Sequence, residues 1–118
     1  KSPPYLGVIK RHKTDDFLIS CNLDGYSLAI DFSVKDSNRA GLSSLLAELD
    51  EIVLAAGGRF YFAKDSTLKP EVTRSFLGPK TLARLKYLKL SCDPDGLLQS
   101  NLSRRILPEL HGYQVDKG

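Results

Sequence analysis

Tyr26-Ser27-Leu28-Ala29-Ile30-Asp31-Phe32-Ser33-Val34 is the stretch from which the architecture follows. Tyr26, Leu28, Ile30, Phe32 and Val34 alternate with Ser27, Ala29, Asp31 and Ser33. A period of two puts one apolar face of a strand on a core and leaves a small, polar face for something else. The preceding Asn22-Leu23-Asp24-Gly25 cluster has the residue types of a turn. Upstream of it, Tyr5–His12 carries the short apolar run Leu6, Val8 and Ile9 and reads as another strand. Asp16–Cys21, with Phe17, Ile19 and Cys21 on one side, reads as a weaker one.

Downstream, residues 35–56 contain the strongest helix. Leu42, Leu45, Leu46, Leu49, Ile52, Val53 and Ala56 recur at spacings of three and four, which makes one apolar stripe. Asp36, Ser37 and Asn38 are candidate N-caps, and Gly57-Gly58 ends the helix. The aromatic run Arg59–Lys64 then predicts a strand. Pro70 and Pro79 each suit the first turn of a helix, so short helices are expected over Pro70–Leu77 and Pro79–Leu90. Asp93-Pro94-Asp95-Gly96 matches a type I turn, and the moderately apolar tail Leu97–Leu107 is expected to dock on the rest. The predicted order is β-β-β-α-β-α-α. The fold class is α+β, an antiparallel sheet with helices packed on one face. So small a sheet would have open edges, as in a piece cut from a larger substrate-binding domain.

At 118 residues and 42% hydrophobic, the chain has one domain's worth of material and enough for one core. A net charge of +3 is too small to imply a nucleic-acid or anionic-membrane partner. No apolar run approaches a transmembrane span. The chain has no methionine and starts Lys1-Ser2-Pro3-Pro4, which reads as a segment of something longer. Cys21 and Cys92 lie far apart without metal-ligand spacing. They read most simply as buried thiols in a reducing, cytoplasmic setting, with a single disulfide as the open alternative.

Most catalytic constellations are absent. His12 and His111 stand near opposite ends with no second ligand at helical spacing, so no metal site is expected. There is no Gly-x-Ser-x-Gly elbow. Gly57-Gly58 follows a helix C-terminus, where free carbonyls disfavour an anion. Gly58-Arg59-Phe60-Tyr61-Phe62 has the aromatics of an RNA-recognition strand, but the element order of that fold is missing. What remains is Lys64 and the polar face of the 26–34 strand. Taken alone, a lysine at a strand end is in most cases a solvated charge.

Four motifs in a common order change that weighting. Gly57-Gly58-Arg59-Phe60-Tyr61-Phe62-Ala63-Lys64-Asp65-Ser66 resembles the Gly-Gly-Arg-x-Tyr-x-Ala-Lys-Asp-Ser run of FAD-linked sugar oxidases of the vanillyl-alcohol-oxidase type. Gly25-Tyr26-Ser27-Leu28-Ala29-Ile30-Asp31-Phe32 resembles their Gly-Trp-Asn-x-Cys-x-Asp-Phe strand. Asp93-Pro94 through Arg104-Arg105 resembles their closing turn and Arg-Arg tail. The opening Leu6-Gly7-Val8-Ile9-Lys10 is similar to their strand leading into the substrate pocket.

The resemblance implies an FAD enzyme oxidising a CH–OH carbon of a sugar or polyol. This chain would be the C-terminal portion that covers the flavin ring and shapes the pocket. The N-terminal FAD-binding domain would be a separate partner outside these residues, so the chain alone is expected to be inactive. If the substrate is lipid-linked, the resemblance also allows association with a membrane. Lys64 would be the catalytic residue and, with Ala63, would face the cofactor. Lys10, His12, Ser27, Ala29 and Tyr61 would contact substrate. Ala29 stands where some members carry a reactive cysteine, which implies that thiol-directed chemistry is absent here. Ser27 replaces an asparagine and Tyr26 a tryptophan, so the substrate need not be the family's usual one. The alternative is a stand-alone α+β ligand- or protein-binding module with no redox role.

Overall fold

The computed structural model describes residues 3–111. Two strands and three helices follow in the order β1 (Pro4–His12), β2 (Gly25–Phe32), α1 (Arg39–Ala55), α2 (Pro70–Cys92) and α3 (Asn101–Ile106). Short 3-10 turns cover Phe62–Lys64 and Pro108–Leu110. The class is α+β with an antiparallel sheet, as expected. The described residues form two compact units, one ending at Phe60 and one beginning at Tyr61.

In the first unit β1 and β2 form a hairpin. Its register places Val8 opposite Ala29, Lys10 opposite Ser27 and His12 opposite Gly25, with an irregularity between Pro4 and Leu6. Alternation therefore puts Val8, Lys10, His12, Ser27 and Ala29 on one face, and Ile9, Arg11, Tyr26 and Leu28 on the other. The second face was expected to lie on a core. At this end of the hairpin it is open instead, with Tyr26 78% and Ile9 71% exposed. The Arg11 guanidinium stands over the Tyr26 ring, 5.4 Å from its centroid. Farther along, Ile30 and Phe32 are half-buried.

The expected strand at Asp16–Cys21 is not formed. Asp15 organises this segment as a loop. Its carboxylate accepts from the Phe17 amide (3.1 Å), the Ser20 hydroxyl (2.8 Å) and the Asn22 side-chain amide (2.8 Å). The Asn22 amide donates in turn to the Ser20 hydroxyl, at 2.9 Å. A backbone bonded so locally has no call for a ladder partner. The Ser20 hydroxyl is the first cause holding the Asp15 carboxyl below its ordinary value.

Helix α1 has a narrower inward stripe than its sequence suggests. Leu42 is buried and Leu46, Leu49 and Val53 are half-buried, while Leu45 and Ile52 turn outward. Asn38 is the N-cap residue but makes no capping bond to the helix. Its side chain instead accepts from the Lys35 amide and donates to the Ser33 carbonyl. The glycine pair does end the helix. Gly57 (φ 68°) donates to Leu54 and Gly58 to Val53, the paired bonds of a Schellman motif. A Cβ on Gly58 would lie 2.7 Å from a Val53 methyl, so that position has no room for a side chain.

The strand expected over Arg59–Lys64 is also absent. The Lys64 amide donates to Tyr61 and the Asp65 amide to Phe62, which curls residues 62–64 into a 3-10 turn. Aromatic residues favour strands only where a neighbour offers a pleated surface, and the sheet among the described residues has two strands. Phe62 packs instead against Phe76, ring centroids 5.6 Å apart.

In the second unit α2 is broken at Gly78 (φ 75°, ψ 164°), so Pro70 and Pro79 open its two halves as the sequence predicts. Thr73, fully buried, gives its hydroxyl to the Lys69 carbonyl. The tail docks as expected. Ser100 and Ser103 form a reciprocal capping box at the start of α3, and α3 and the Pro108–Leu110 turn pack on α2. Leu68, Val72, Ile106 and Leu107 make the core of this unit.

Asp93 ties the C-terminal end of α2 to the segment that leads into α3. The buried carboxylate accepts from the Leu97 amide (2.8 Å), the Leu98 amide (2.9 Å) and the Lys89 ammonium. The ammonium bond is the main cause holding Asp93 below its ordinary 3.8. A carboxyl with a lowered native pKa binds fewer protons folded than unfolded. Its stabilisation is therefore complete well above pH 3.8 and is lost as pH falls through the lowered native value. Urea unfolding at stepped pH should show Asp93→Asn less acid-sensitive than the parent in this range. Parallel pH profiles would remove Asp93 as the cause.

Candidate functional site

The seven residues singled out in the sequence fall into two groups, one in each unit. On the hairpin, register brings Lys10, His12, Ser27 and Ala29 to one face. His12 Nε2 and Ser27 Oγ are hydrogen-bonded at 2.7 Å. Lys10 lies directly opposite Ser27, and Ala29, half-buried, lies opposite Val8. The face thus presents an ammonium, an imidazole and a hydroxyl beside a small apolar floor. Such a set can donate to and accept from the hydroxyls of a polyol, and it leaves space at Ala29 where a longer side chain would stand.

In the second unit Tyr61, Ala63 and Lys64 are exposed around the 3-10 turn. Tyr61 stands just before the turn in extended backbone (φ -94°, ψ 101°), and Lys64 closes it.

Asp65 and Arg105, quoted in the sequence motifs without a role of their own, hold this turn. Asp65 accepts from the Thr67 amide (3.1 Å) and the Leu68 amide (2.8 Å), and Arg105 donates to its other oxygen at 2.7 Å. Arg105 also donates to the Leu68 carbonyl, at 2.6 Å. The Asp65 carboxylate is thereby turned to Arg105 and the following amides. Asp65-Ser66-Thr67 has the local signature of such a turn. Arg105 has no local signal at all, because its partner is 40 residues away. Cys21 and Cys92 are both free thiols, but the burial expected of them is partial at Cys21 and absent at Cys92, which is exposed.

With this geometry in view, comparison with known proteins gives the chemistry a context. The chain is 35% identical over 88 residues to the decaprenylphosphoryl-beta-D-ribose oxidase of Mycolicibacterium smegmatis. That relative is named as an oxidase. The match takes in 75% of this chain and 18% of the oxidase. A Streptomyces coelicolor protein named only as uncharacterized, in the mprA 5' region, is 35% identical over 82 residues, 70% of this chain and 21% of its own length. The chain therefore spans about a fifth of the length of the curated relatives it matches. No family model matches it. Among the described residues, no helix is long and apolar enough to cross a membrane.

Proposed function

We propose that this chain is the flavin- and substrate-facing portion of an FAD-dependent oxidoreductase that oxidises a CH–OH carbon of a sugar or polyol-type compound. The observation that carries the reading is the 35% identity, over three-quarters of the chain, to an oxidase whose name gives it a ribose-containing substrate. Two features of the geometry support it. One hairpin face gathers Lys10, His12, Ser27 and Ala29, and one short turn ends on exposed Lys64 with exposed Tyr61 just before it.

The residues fit a flavin on chemical grounds. A flavin supplies a hydride acceptor whose pyrimidine end becomes negative on reduction, and a fixed cation beside it stabilises that charge. Lys64 is exposed, and the neighbouring Asp65 carboxylate is bound to Arg105. Tyr61, just before the turn, offers an exposed ring and hydroxyl. On the hairpin, Lys10 and the His12–Ser27 pair would bind and orient substrate hydroxyls. The dinucleotide portion of the cofactor would be held by a separate FAD-binding domain.

The test is the visible spectrum of the longer protein that contains this chain, purified without added cofactor. Flavin bands that bleach on addition of a sugar alcohol support the reading. A colourless, folded protein that ignores added FAD overturns it in favour of an α+β binding module.

A further inference from the structure

We infer that Arg105 is a positioning residue for Lys64, acting through Asp65; this rests on the reading of Lys64 as the cation beside the flavin. The lysine stands in a tight turn rather than on a sheet, so no ladder of hydrogen bonds holds its backbone. On its N-terminal side the Lys64 amide is fixed to the Tyr61 carbonyl at 3.1 Å. On its C-terminal side the chain is fixed through Asp65. Both carboxylate oxygens are used: Oδ1 by the Thr67 and Leu68 amides, Oδ2 by Arg105. Arg105 spans the turn with its other nitrogen on the Leu68 carbonyl.

These bonds tie the turn to the core. Leu68 is 2% exposed, and Arg105 immediately precedes Ile106, also 2% exposed. The Asp65 side chain is 11% and the Arg105 side chain 33% exposed, so water competes weakly for this pair. The planar fork of arginine is what reaches two acceptors at once, a carboxylate and a carbonyl. A lysine at this position keeps the charge but presents a single point donor. Electrostatic stabilisation of a developing charge depends on a donor already in place. A loosened turn would leave the ammonium present and misplaced.

The experiment is a double-mutant cycle on the longer, flavin-loaded protein with Lys64→Ala, Arg105→Lys and the pair. Hydrogen exchange of the 62–68 amides, followed by mass spectrometry, runs in parallel. Arg105→Lys should lower kcat about fivefold with KM little changed. It should also speed exchange in 62–68 at least tenfold while the rest of the chain stays protected. The double variant should be no slower than Lys64→Ala alone. Should Arg105→Lys fail to fold, Asp65→Asn replaces it. That variant keeps an acceptor for the amides, removes the charge facing Arg105, and carries the same expectations. Faster exchange with unchanged kcat, or a double variant as slow as the product of the two single effects, overturns the proposal. Unchanged turnover in Lys64→Ala overturns the reading of Lys64 itself, and the positioning role with it.

Discussion

Lys64→Ala in the longer, flavin-loaded protein should lower kcat at least tenfold, a loss of about 1.4 kcal/mol of transition-state stabilisation. The substrate-bound ground state should change less, because the ammonium matters most once the flavin carries the hydride's electrons. The substitution should leave the fold intact. Lys64 is exposed, and its backbone bond to Tyr61 does not depend on its side chain. Lys64→Arg separates charge from shape. It keeps a cation, so it should recover part of the lost rate, although its broader, flatter head cannot occupy the same point. Stopped-flow reduction of the flavin reads the step directly. Wild-type reduction rates in Lys64→Ala would return this lysine to the class of ordinary surface charges.

The largest effect on stability should come from Ile106→Ala. Ile106 is 2% exposed at the end of α3, beside buried Leu107, where α3 and the Pro108–Leu110 turn meet α2. Removing three buried carbons from a packed site costs roughly 2–5 kcal/mol, and about 3 kcal/mol is expected here. Marginal stability makes that a large fraction of the total. Leu97→Ala is the matched control, since Leu97 is 80% exposed and its loss should change stability by under about 0.5 kcal/mol. Urea unfolding of both variants, compared at equal slope, gives the two numbers. Similar midpoints for Ile106→Ala and Leu97→Ala would mean that the second unit is not held by this cluster.

Particular residues show why some of this structure was legible and some was not. The alternation from Tyr26 to Phe32, the glycine stop at Gly57-Gly58 and the prolines at 70 and 79 each report a local rule of backbone geometry. Each element was formed, including the break at Gly78 between the two helical halves, although the strand face expected on a core is open at Tyr26 and Leu28. Phe17, Ile19 and Cys21 mimic strand periodicity, but Asp15 decides their conformation through bonds that no hydrophobic pattern encodes. Phe60-Tyr61-Phe62 has strand composition without a strand to pair with. Lys10, His12, Ser27 and Ala29 were named through the family resemblance, and their common face emerges only from the pairing of β1 with β2. Lys64 and Tyr61 were recognised by motif, while the turn that ends on Lys64 was expected as a strand. Arg105 was invisible as a partner because its bond to Asp65 spans 40 residues.

That span also orders events during synthesis. The turn bearing Lys64 leaves the ribosome well before the arginine that anchors it. At about 5–20 residues per second, those 40 residues correspond to a delay of about 2–8 s. During that interval the nascent chain has its lysine but lacks the Arg105 anchor of its turn. A message truncated just before Arg105 would yield a polypeptide carrying every residue of the proposed site and lacking the tether that sets the Lys64 turn.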